Sequence, residues 1–191
     1  MNGTYKIPSA LCQIINNTPK RPLILVIDGR AAAGKTTLAN ALQKEYTAEI
    51  ISMDDFFLPM NLRTEERRNE PGGNVHYERF REEVLPFIGK GKDFSYGVFN
   101  CSEMDIDGTK LIAASDIIVV EGSYSHHPVF GDYADIKVFC DISPEEQLDR
   151  IKARNGEQKA EQFKSLWIPL EEKYFNSFDI KNKADIVICC K

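Results

Sequence analysis

The feature that most constrains the fold of this chain is the segment "LVIDGRAAAGKTTLA" at residues 25–39. Residues 29–36, here called the phosphate loop, match the pattern G-x-x-x-x-G-K-[ST] between an apolar run and a helix-like run. A strand–loop–helix unit of this kind surrounds phosphate groups with backbone N–H groups and a helix N-terminus. The segment therefore predicts a buried strand, a tight loop and a helix in that order, with a nucleotide site at the loop.

Each residue type in the motif has a defined task. Gly29 and Gly34 leave room for the backbone to wrap the phosphates, and the Lys35 side chain adds a mobile positive charge. The Thr36 hydroxyl is a ligand for Mg²⁺. The alternative is a small-residue turn that binds nothing. The residues that we predict to bind the nucleotide are Gly29, Arg30, Ala31, Ala32, Ala33, Gly34, Lys35, Thr36 and Thr37.

Val- and Ile-rich runs recur along the chain with little polar alternation, which is typical of strands buried on both faces of a parallel sheet. These runs lie at 22–27, 48–52, 116–122, 136–141 and 184–190. Helix-like segments separate them, at 34–46, 77–88, 143–154 and 161–175. We predict an α/β fold, the three-layer P-loop NTPase fold with a mainly parallel five-stranded sheet flanked by helices.

Local signals refine this layout. Ser143 is a predicted N-cap, with Pro144 in the first helical position. Pro169 is expected to kink or break the last helical segment. The segment 59–76 reads as one long polar loop, and long loops in compact domains often carry function.

The length of 191 residues suits one compact domain. We predict an N-terminal extension at 1–21 and a single domain at 22–191, with a lid around 150–165. The net charge of −5 argues against a nucleic-acid partner, which requires a basic face. No run approaches the ~20 apolar residues that cross a bilayer, and no signal-peptide layout opens the chain, so we expect a cytoplasmic protein without a membrane partner.

Acidic residues follow two of the predicted strands, at the edge of the sheet where open α/β folds bind ligands. Asp54 and Asp55 come directly after the second run, and Glu121 ends the third. We predict that Asp54 takes the proton of an attacking hydroxyl and that Thr36, Asp54 and Glu121 hold Mg²⁺, directly or through water. The alternatives are that one aspartate caps a turn and that Glu121 is a surface charge.

Two arginines stand four residues apart on the helix predicted at 143–154 and therefore share one face. Arg150 and Arg154 are predicted to act in catalysis with Lys35, by contacting the transferred phosphoryl group, whose transition state spreads negative charge over its oxygens. For Arg150, an ion pair with Glu146 at helix spacing is an open alternative. For Arg154, the segment "ARNGEQ" indicates a flexible flap and favours the catalytic role.

Aromatic and histidine side chains near the predicted site are candidates for substrate contacts, although aromatic residues more often belong to the core. Phe56 and Phe57 are adjacent, so one of them can stack on a planar ligand. For the pair His126 and His127 a metal role is disfavoured, because no Cys or carboxylate stands at ligand spacing. The residues that we predict to contact the substrate are Asp54, Phe57, His76, Tyr77, Tyr124 and His127.

With these motifs assembled, the chain resembles the uridine kinase and phosphoribulokinase family of P-loop kinases from about residue 22 to residue 189. The D-S-F-Y motif of the family matches "DDFF" at 54–57, and its "EG" matches 121–122. Its lid helix carries two arginines that match Arg150 and Arg154. Its closing "ADIII" strand matches "ADIVI" at 184–188.

This resemblance implies that ATP and Mg²⁺ are the cofactors and that Asp54 is the catalytic base associated with magnesium. Three departures concern the acceptor. His76 stands where the family has an Asp near the acceptor ribose, Phe57 lacks the hydroxyl of the family's Tyr, and the lid "RNGEQKAEQ" lacks a second basic cluster. The pattern is that of a divergent bacterial, uridine kinase-like branch.

We therefore expect an ATP- and Mg²⁺-dependent kinase that phosphorylates a small-molecule hydroxyl, with the 5′-hydroxyl of uridine or cytidine as the first candidate. Another acceptor, pantothenate-like or a sugar phosphate, is the first alternative, since Arg63, Arg67 and Arg68 could bind an anion unless they only form a solvated loop. A regulatory P-loop ATPase is the second alternative. The expected partner is the small-molecule acceptor, and self-association stays open.

Overall fold

The computed structural model of the chain describes residues 5–189. A five-stranded sheet forms its centre, with all neighbouring strands parallel. Its strands are β1 (Leu23–Gly29), β2 (Glu49–Ser52), β5 (Ile117–Glu121), β6 (Ile136–Asp141) and β7 (Ile186–Cys189), in the order β2-β5-β1-β6-β7. The predicted fold class is confirmed. The described residues do not include the predicted strand end at Cys190 or the predicted domain ends at 1 and 191.

The central strands are buried on both faces, which explains why their sequences lack polar alternation. Every residue of β1 and β5 is buried. Ile24 and Val26 pack into one core cluster with Phe56 and Phe80, whereas Leu23 and Leu25 pack into a second cluster on the opposite face. Alternate residues of one strand therefore support two hydrophobic layers.

The helices cover both faces of the sheet. They are α1 (Ser9–Asn17), α2 (Lys35–Tyr46), α3 (Glu65–Asn69), α4 (Tyr77–Glu83), α5 (Pro144–Asn155), α6 (Glu157–Gln162) and α7 (Ile168–Phe178). The predicted cap of α5 is confirmed, because the Ser143 hydroxyl accepts a hydrogen bond from the Glu146 N–H at 3.2 Å. Helix α1 was not predicted, and its Leu11 and Ile15 are buried in the core.

The predicted helix at 161–175 is instead a continuous run of three helical segments. A π-helical turn at Phe163–Trp167 joins α6 to α7. Pro169 lies in the first turn of α7 and has no N–H to donate to the helical hydrogen bonds. The π turn, with its different hydrogen-bond spacing, lies immediately before this proline. The segment 59–76 is also less irregular than expected, since it contains a short 3-10 turn at Met60–Leu62 and α3.

A second sheet was not predicted at all. Strands β3 (Phe94–Asn100) and β4 (Asp105–Ile112) form an antiparallel hairpin beside the parallel sheet. Tyr96 of β3 packs its ring 5.0 Å from the ring of Phe56, in the 3-10 turn Met53–Phe56 that follows β2. The hairpin is thereby attached to the carboxyl-terminal edge of the parallel sheet. None of the described helices has the length and apolar character of a membrane span.

The close contact between β1 and β6 generates the first prediction. Gly29 ends β1 with a φ of +132°, and a Cβ atom there would lie 2.1 Å from the carbonyl oxygen of Cys140 on β6. Gly29→Ala should therefore lower the free energy of unfolding by roughly 2–4 kcal/mol through strain and overlap together. Urea denaturation followed by circular dichroism measures this loss.

Gly108→Ala is the matched control, because Gly108 has a φ of +102° but no atom within 4 Å of its added Cβ. Its loss should be limited to roughly 1–2 kcal/mol, the cost of the unfavourable φ alone. Equal losses in the two variants would show that the approach of β6 imposes no requirement for glycine.

Candidate active site

A cavity of about 1110 Å³ opens at the carboxyl-terminal edge of the sheet. Its wall is built from the phosphate loop, the turn after β2, the β3–β4 hairpin, the segment 59–76 and the helices α5–α7. The predicted nucleotide-binding residues on this wall are Ala31, Ala32, Gly34, Lys35, Thr36 and Thr37. The other predicted site residues on it are Asp54, Phe57, Glu121, Tyr124, Arg150 and Arg154.

The phosphate loop has the backbone shape that its sequence predicts. Gly34 caps α2 with a left-handed φ of +92°, which a residue without a side chain adopts readily. The Lys35 ammonium is almost buried and donates to the carbonyl oxygens of Gly29, at 2.7 Å, and Arg30, at 2.9 Å. A lysine held on its own loop and a free helix N-terminus together fit the phosphates of a nucleotide.

Three of the nine predicted nucleotide-binding residues do not line the cavity. Gly29 packs against β6 and Ala33 is fully buried. The Arg30 guanidinium turns away and forms ion pairs with Asp141, at 2.9 Å, and with Glu172. The backbone of the loop, and not the side chain of its second residue, is therefore what the cavity presents.

Glu121 and Asp54 form the acidic side of the cavity. The Glu121 carboxylate accepts hydrogen bonds from the hydroxyls of Thr36, at 3.2 Å, and Ser52, at 3.3 Å. Burial raises the pKa of Glu121, and the charge of Asp54 raises this pKa further. Burial also raises the pKa of Asp54, although the nearby charge of Lys35 lowers it.

Two carboxylates and a hydroxyl are oxygen donors of the kind that Mg²⁺ prefers, so Thr36, Asp54 and Glu121 fit that ion together with phosphate oxygens and water. Within residues 5–189 no cluster of three or more His, Cys, Asp or Glu side chains is arranged to hold a metal on its own.

The two adjacent aspartates have different surroundings. Asp54 is open to the cavity and makes no hydrogen bond or ion pair with any of the described residues. Asp55 turns to the hairpin, where it accepts a hydrogen bond from the Tyr96 hydroxyl at 2.8 Å and lies 3.9 Å from the Lys110 ammonium. Asp55 thus anchors the hairpin, and Asp54 is left available for a ligand.

Arg150 and Arg154 of α5 both reach the cavity. Arg150 forms the ion pair with Glu146, at 2.6 Å, and also donates to the Ala32 carbonyl of the phosphate loop at 3.3 Å. Arg154 bonds the neighbouring Asn155 side chain at 2.8 Å, and its charge acts to lower the pKa of Asp54. Helix α5 therefore contributes two cations opposite the phosphate loop.

Three of the predicted substrate contacts lie away from the cavity wall. His76 caps α4 by accepting a hydrogen bond from the Arg79 N–H at 3.4 Å. The Tyr77 ring lies under the Arg67 guanidinium, 3.5 Å from ring centroid to Cζ. His127 is nearly buried and stacks on Tyr77, with 5.5 Å between ring centroids. His76 is the last residue of the segment 59–76, and Tyr77 and His127 pack against that segment and support it.

Sequence reasoning missed three polar residues behind the phosphate loop: Asp28, Ser123 and Glu171. Asp28 is fully buried, and Glu171 is 5% exposed. The Ser123 hydroxyl donates to a Glu171 carboxylate oxygen at 2.7 Å. The signal for Glu171 was a carboxylate inside the otherwise amphipathic "WIPLEEKYF", but the pattern does not tell which of its two glutamates is buried.

The raised pKa of Glu121 generates a prediction about stability. Folding favours the protonated form of this carboxyl group, so its ionised form destabilises the folded chain once the pH rises above the unfolded pKa of ~4.3. Glu121→Gln should therefore raise the Tm of the ligand-free protein at pH 8, and the gain should shrink as the pH approaches 5. Thermal unfolding at several pH values measures the difference.

Glu82→Gln, on the exposed side of α4, is the control for the loss of a surface carboxylate and should leave the Tm nearly unchanged throughout. A Glu121→Gln variant that is less stable than the original chain at pH 8 would contradict the burial argument.

No family model matches the chain. It is 29% identical over 157 residues to a uridine kinase from Ureaplasma parvum serovar 3, which covers 77% of this chain and 75% of that protein. It is 27% identical over 191 residues to uridine-cytidine kinase B from Dictyostelium discoideum, covering 91% of this chain and 77% of that protein. A pantothenate kinase from Cronobacter sakazakii is 29% identical over 175 residues, covering 73% of this chain and 53% of that protein.

Among solved structures, a protein from Bacillus stearothermophilus described as a possible uridine kinase is similar in fold. Its TM-score is 0.68 at 20% identity, over 94% of this chain and 96% of that one. This likeness supports the α/β architecture. The support for kinase activity comes from the relatives that are similar in sequence. The chain is therefore an ATP-dependent kinase that is similar in sequence to uridine kinases.

Proposed function

We propose that this kinase transfers the γ-phosphoryl group of ATP to the 5′-hydroxyl of uridine or cytidine with the help of Mg²⁺. The observation that carries the proposal is the position of Asp54. Its carboxylate faces the cavity without a partner among the described residues, and Lys35 and Arg154 are the cations whose charge acts on it. A carboxylate placed between the phosphate loop and the lid is suited to receive a proton where phosphoryl transfer occurs.

The step is an in-line displacement. The acceptor hydroxyl oxygen attacks the γ-phosphorus and its proton passes to an oxygen of Asp54. The bond from the γ-phosphorus to the β–γ bridging oxygen breaks, and ADP leaves. The elevated pKa of Asp54 makes its carboxylate a better proton acceptor than an ordinary surface aspartate.

The cations of the site have separate tasks in this proposal. Lys35 stays on the phosphate loop and meets the phosphates, while Arg150 and Arg154 meet the transferred group from the lid side. Thr36, Asp54 and Glu121 would hold Mg²⁺, which supplies charge neutralisation for the phosphates when bound. The charge of Asp54 raises the pKa of Glu121, so the two carboxylates repel each other, which suits a site that takes a cation.

The choice of a nucleoside rests on the names of the relatives and on the aromatic part of the cavity wall. Two of the relatives are named for uridine or cytidine. Phe57 and Tyr124 line the cavity, and Phe99 of β3 lies with its ring 6.2 Å from that of Phe57. Aromatic walls of this kind suit a planar base.

The first test is the removal of the proposed base. Asp54→Asn should lower kcat by roughly 10²–10⁴-fold, the usual contribution of a general base, and change the Kd of ATP by less than about threefold. Steady-state kinetics and calorimetric titration with ATP provide both values. Turnover equal to that of the original chain would refute the assignment.

Asp55→Asn is the matched control, since Asp55 carries the same carboxylate one residue away and points to the hairpin. We expect its kcat to stay within about threefold of the original value, with a loss of stability because the Tyr96 hydroxyl then donates to a neutral amide oxygen and Lys110 loses its nearby negative charge.

A second candidate acceptor class, molecules that carry an anionic group, is favoured by one observation. Arg63 and Arg68 line the cavity, and no carboxylate among the described residues pairs with either guanidinium. Burial lowers the pKa of Arg63 and the nearby charge of Arg68 lowers it further, so an anion between them would be stabilised. Pantothenate and sugar phosphates both have such a group.

An acceptor panel separates the two candidates. ADP release with Mg·ATP is measured without acceptor and with uridine, cytidine, pantothenate or a sugar phosphate, in the original chain and in Arg63→Gln. Stimulation by uridine or cytidine that Arg63→Gln leaves within about twofold supports the nucleoside. Stimulation by an anionic acceptor with a KM raised roughly tenfold in Arg63→Gln supports the second class. Steady ADP release that no acceptor changes would contradict both.

A further inference from the structure

Helix α7 is attached to the phosphate loop and to its supporting strand by three side chains. The Glu171 carboxylate accepts a hydrogen bond from the Ala31 N–H at 3.0 Å. The Glu172 carboxylate pairs with Arg30, and the Tyr174 hydroxyl donates to Asp28 at 2.8 Å. The helix that follows the lid is thus in direct contact with the loop that receives the phosphates.

Glu171 also reaches Lys35 through one intermediate hydroxyl. One carboxylate oxygen of Glu171 accepts from the Ser123 hydroxyl at 2.7 Å, and the Ser123 oxygen lies 3.3 Å from the Lys35 ammonium. The Gly29 carbonyl is a second possible acceptor for the Ser123 hydroxyl, but at 3.4 Å it is much farther away than Glu171, so we assign the proton to Glu171. The Ser123 oxygen then presents a lone pair to Lys35. The three side chains form one hydrogen-bonded relay, Lys35–Ser123–Glu171.

The relay uses the third donor of the lysine. Two of the three ammonium protons of Lys35 go to the carbonyl oxygens of Gly29 and Arg30, inside the phosphate loop. The third faces Ser123, the only one of the three acceptors that belongs to a side chain. The relay therefore adds a side-chain contact, at 3.3 Å, to the two loop carbonyls that hold the ammonium group.

The burial of Glu171 indicates that its carboxylate has a task in the site, because burying a charged group is costly. Burial raises the pKa of this carboxyl group and Asp28 acts in the same direction, whereas Lys35, Ser123 and the Ala31 N–H lower it. An apolar side chain at the same position of α7 would avoid the cost of placing a carboxylate in the interior. A glutamate there interacts electrostatically with Lys35 and accepts hydrogen bonds from the Ser123 hydroxyl and the Ala31 N–H.

We propose that Glu171 is a positioning residue for ATP: it holds the Ala31 N–H directly and the Lys35 ammonium through Ser123, so that the phosphate loop is ordered before the nucleotide arrives. The inference rests on ATP binding at the phosphate loop and not on the identity of the acceptor. A purely structural role, in which Glu171 only fastens α7 to the sheet, is the competing explanation.

The test is a double-mutant cycle on nucleotide affinity. The variants are Ser123→Ala, Glu171→Gln and the two combined, and the Kd of Mg·ADP is measured by calorimetric titration with no acceptor present. Each single variant should weaken binding roughly tenfold, and the double variant should bind no more than about twofold more weakly than the worse single variant. Residues in one relay show such non-additivity because either change alone interrupts it.

Glu172→Gln is the matched control on the same helix, since Glu172 contacts Arg30, which points away from the cavity. Its Kd should stay within about twofold of the original value. Ser123→Thr keeps the hydroxyl and should restore binding to within about threefold. Ser123 is only partly buried on the cavity wall, so its variants test the relay even where Glu171→Gln does not fold.

Thermal unfolding of every variant accompanies the titrations. Lower Tm values with unchanged Kd in Ser123→Ala and Glu171→Gln would overturn the proposal and leave Glu171 a structural anchor. Losses of affinity that multiply in the double variant would overturn the relay. Because no acceptor is used, these outcomes are independent of whether uridine or another molecule is phosphorylated.

Discussion

The carboxylate of Asp28 is the buried group on which the arrangement of this active site depends. It is fully buried at the end of β1 and accepts hydrogen bonds from the backbone N–H groups of Gly29, Tyr124 and His126 and from the Tyr174 hydroxyl. These donors belong to the phosphate loop, to the segment after β5 and to α7. An unpaired carboxylate in the interior is costly. Separation of any of the three elements would leave the Asp28 carboxylate buried without some of its hydrogen bonds.

Three further carboxyl groups lie in the site, and the cations of the folded chain do not fully balance their charge. Burial raises the pKa values of Asp54, Glu121 and Glu171, and Lys35 is the cation that acts on all three. Such a site lowers the stability of the ligand-free protein, a cost that is common where charged residues serve function. Arg150 and Arg154 of α5 add positive charge to the wall of the same cavity.

Much of the framework could be predicted from local patterns. Continuous Val and Ile runs indicate strands buried on both faces, and the Ser143 cap marks the start of α5. The β3–β4 hairpin escaped prediction because β4 is largely exposed and lacks an apolar pattern, so only its pairing with β3 makes it a strand. The position of His76 off the cavity wall has a related reason: its ring caps α4, and no pattern shows where a capping side chain points.

By itself, the sequence determined the parallel sheet, the phosphate loop and the identity of Lys35, Thr36, Asp54 and Glu121 as candidates for the chemistry. These follow from periodicity, glycine spacing and strand ends, which are properties of neighbouring residues. Only the tertiary structure decided that Asp54 faces the cavity while Asp55 faces the hairpin, and that Glu171 reaches the phosphate loop 140 residues earlier in the chain. The physical reason is that the burial and the hydrogen-bond partners of a side chain depend on which distant elements pack together. The pattern of neighbouring residues does not contain that information.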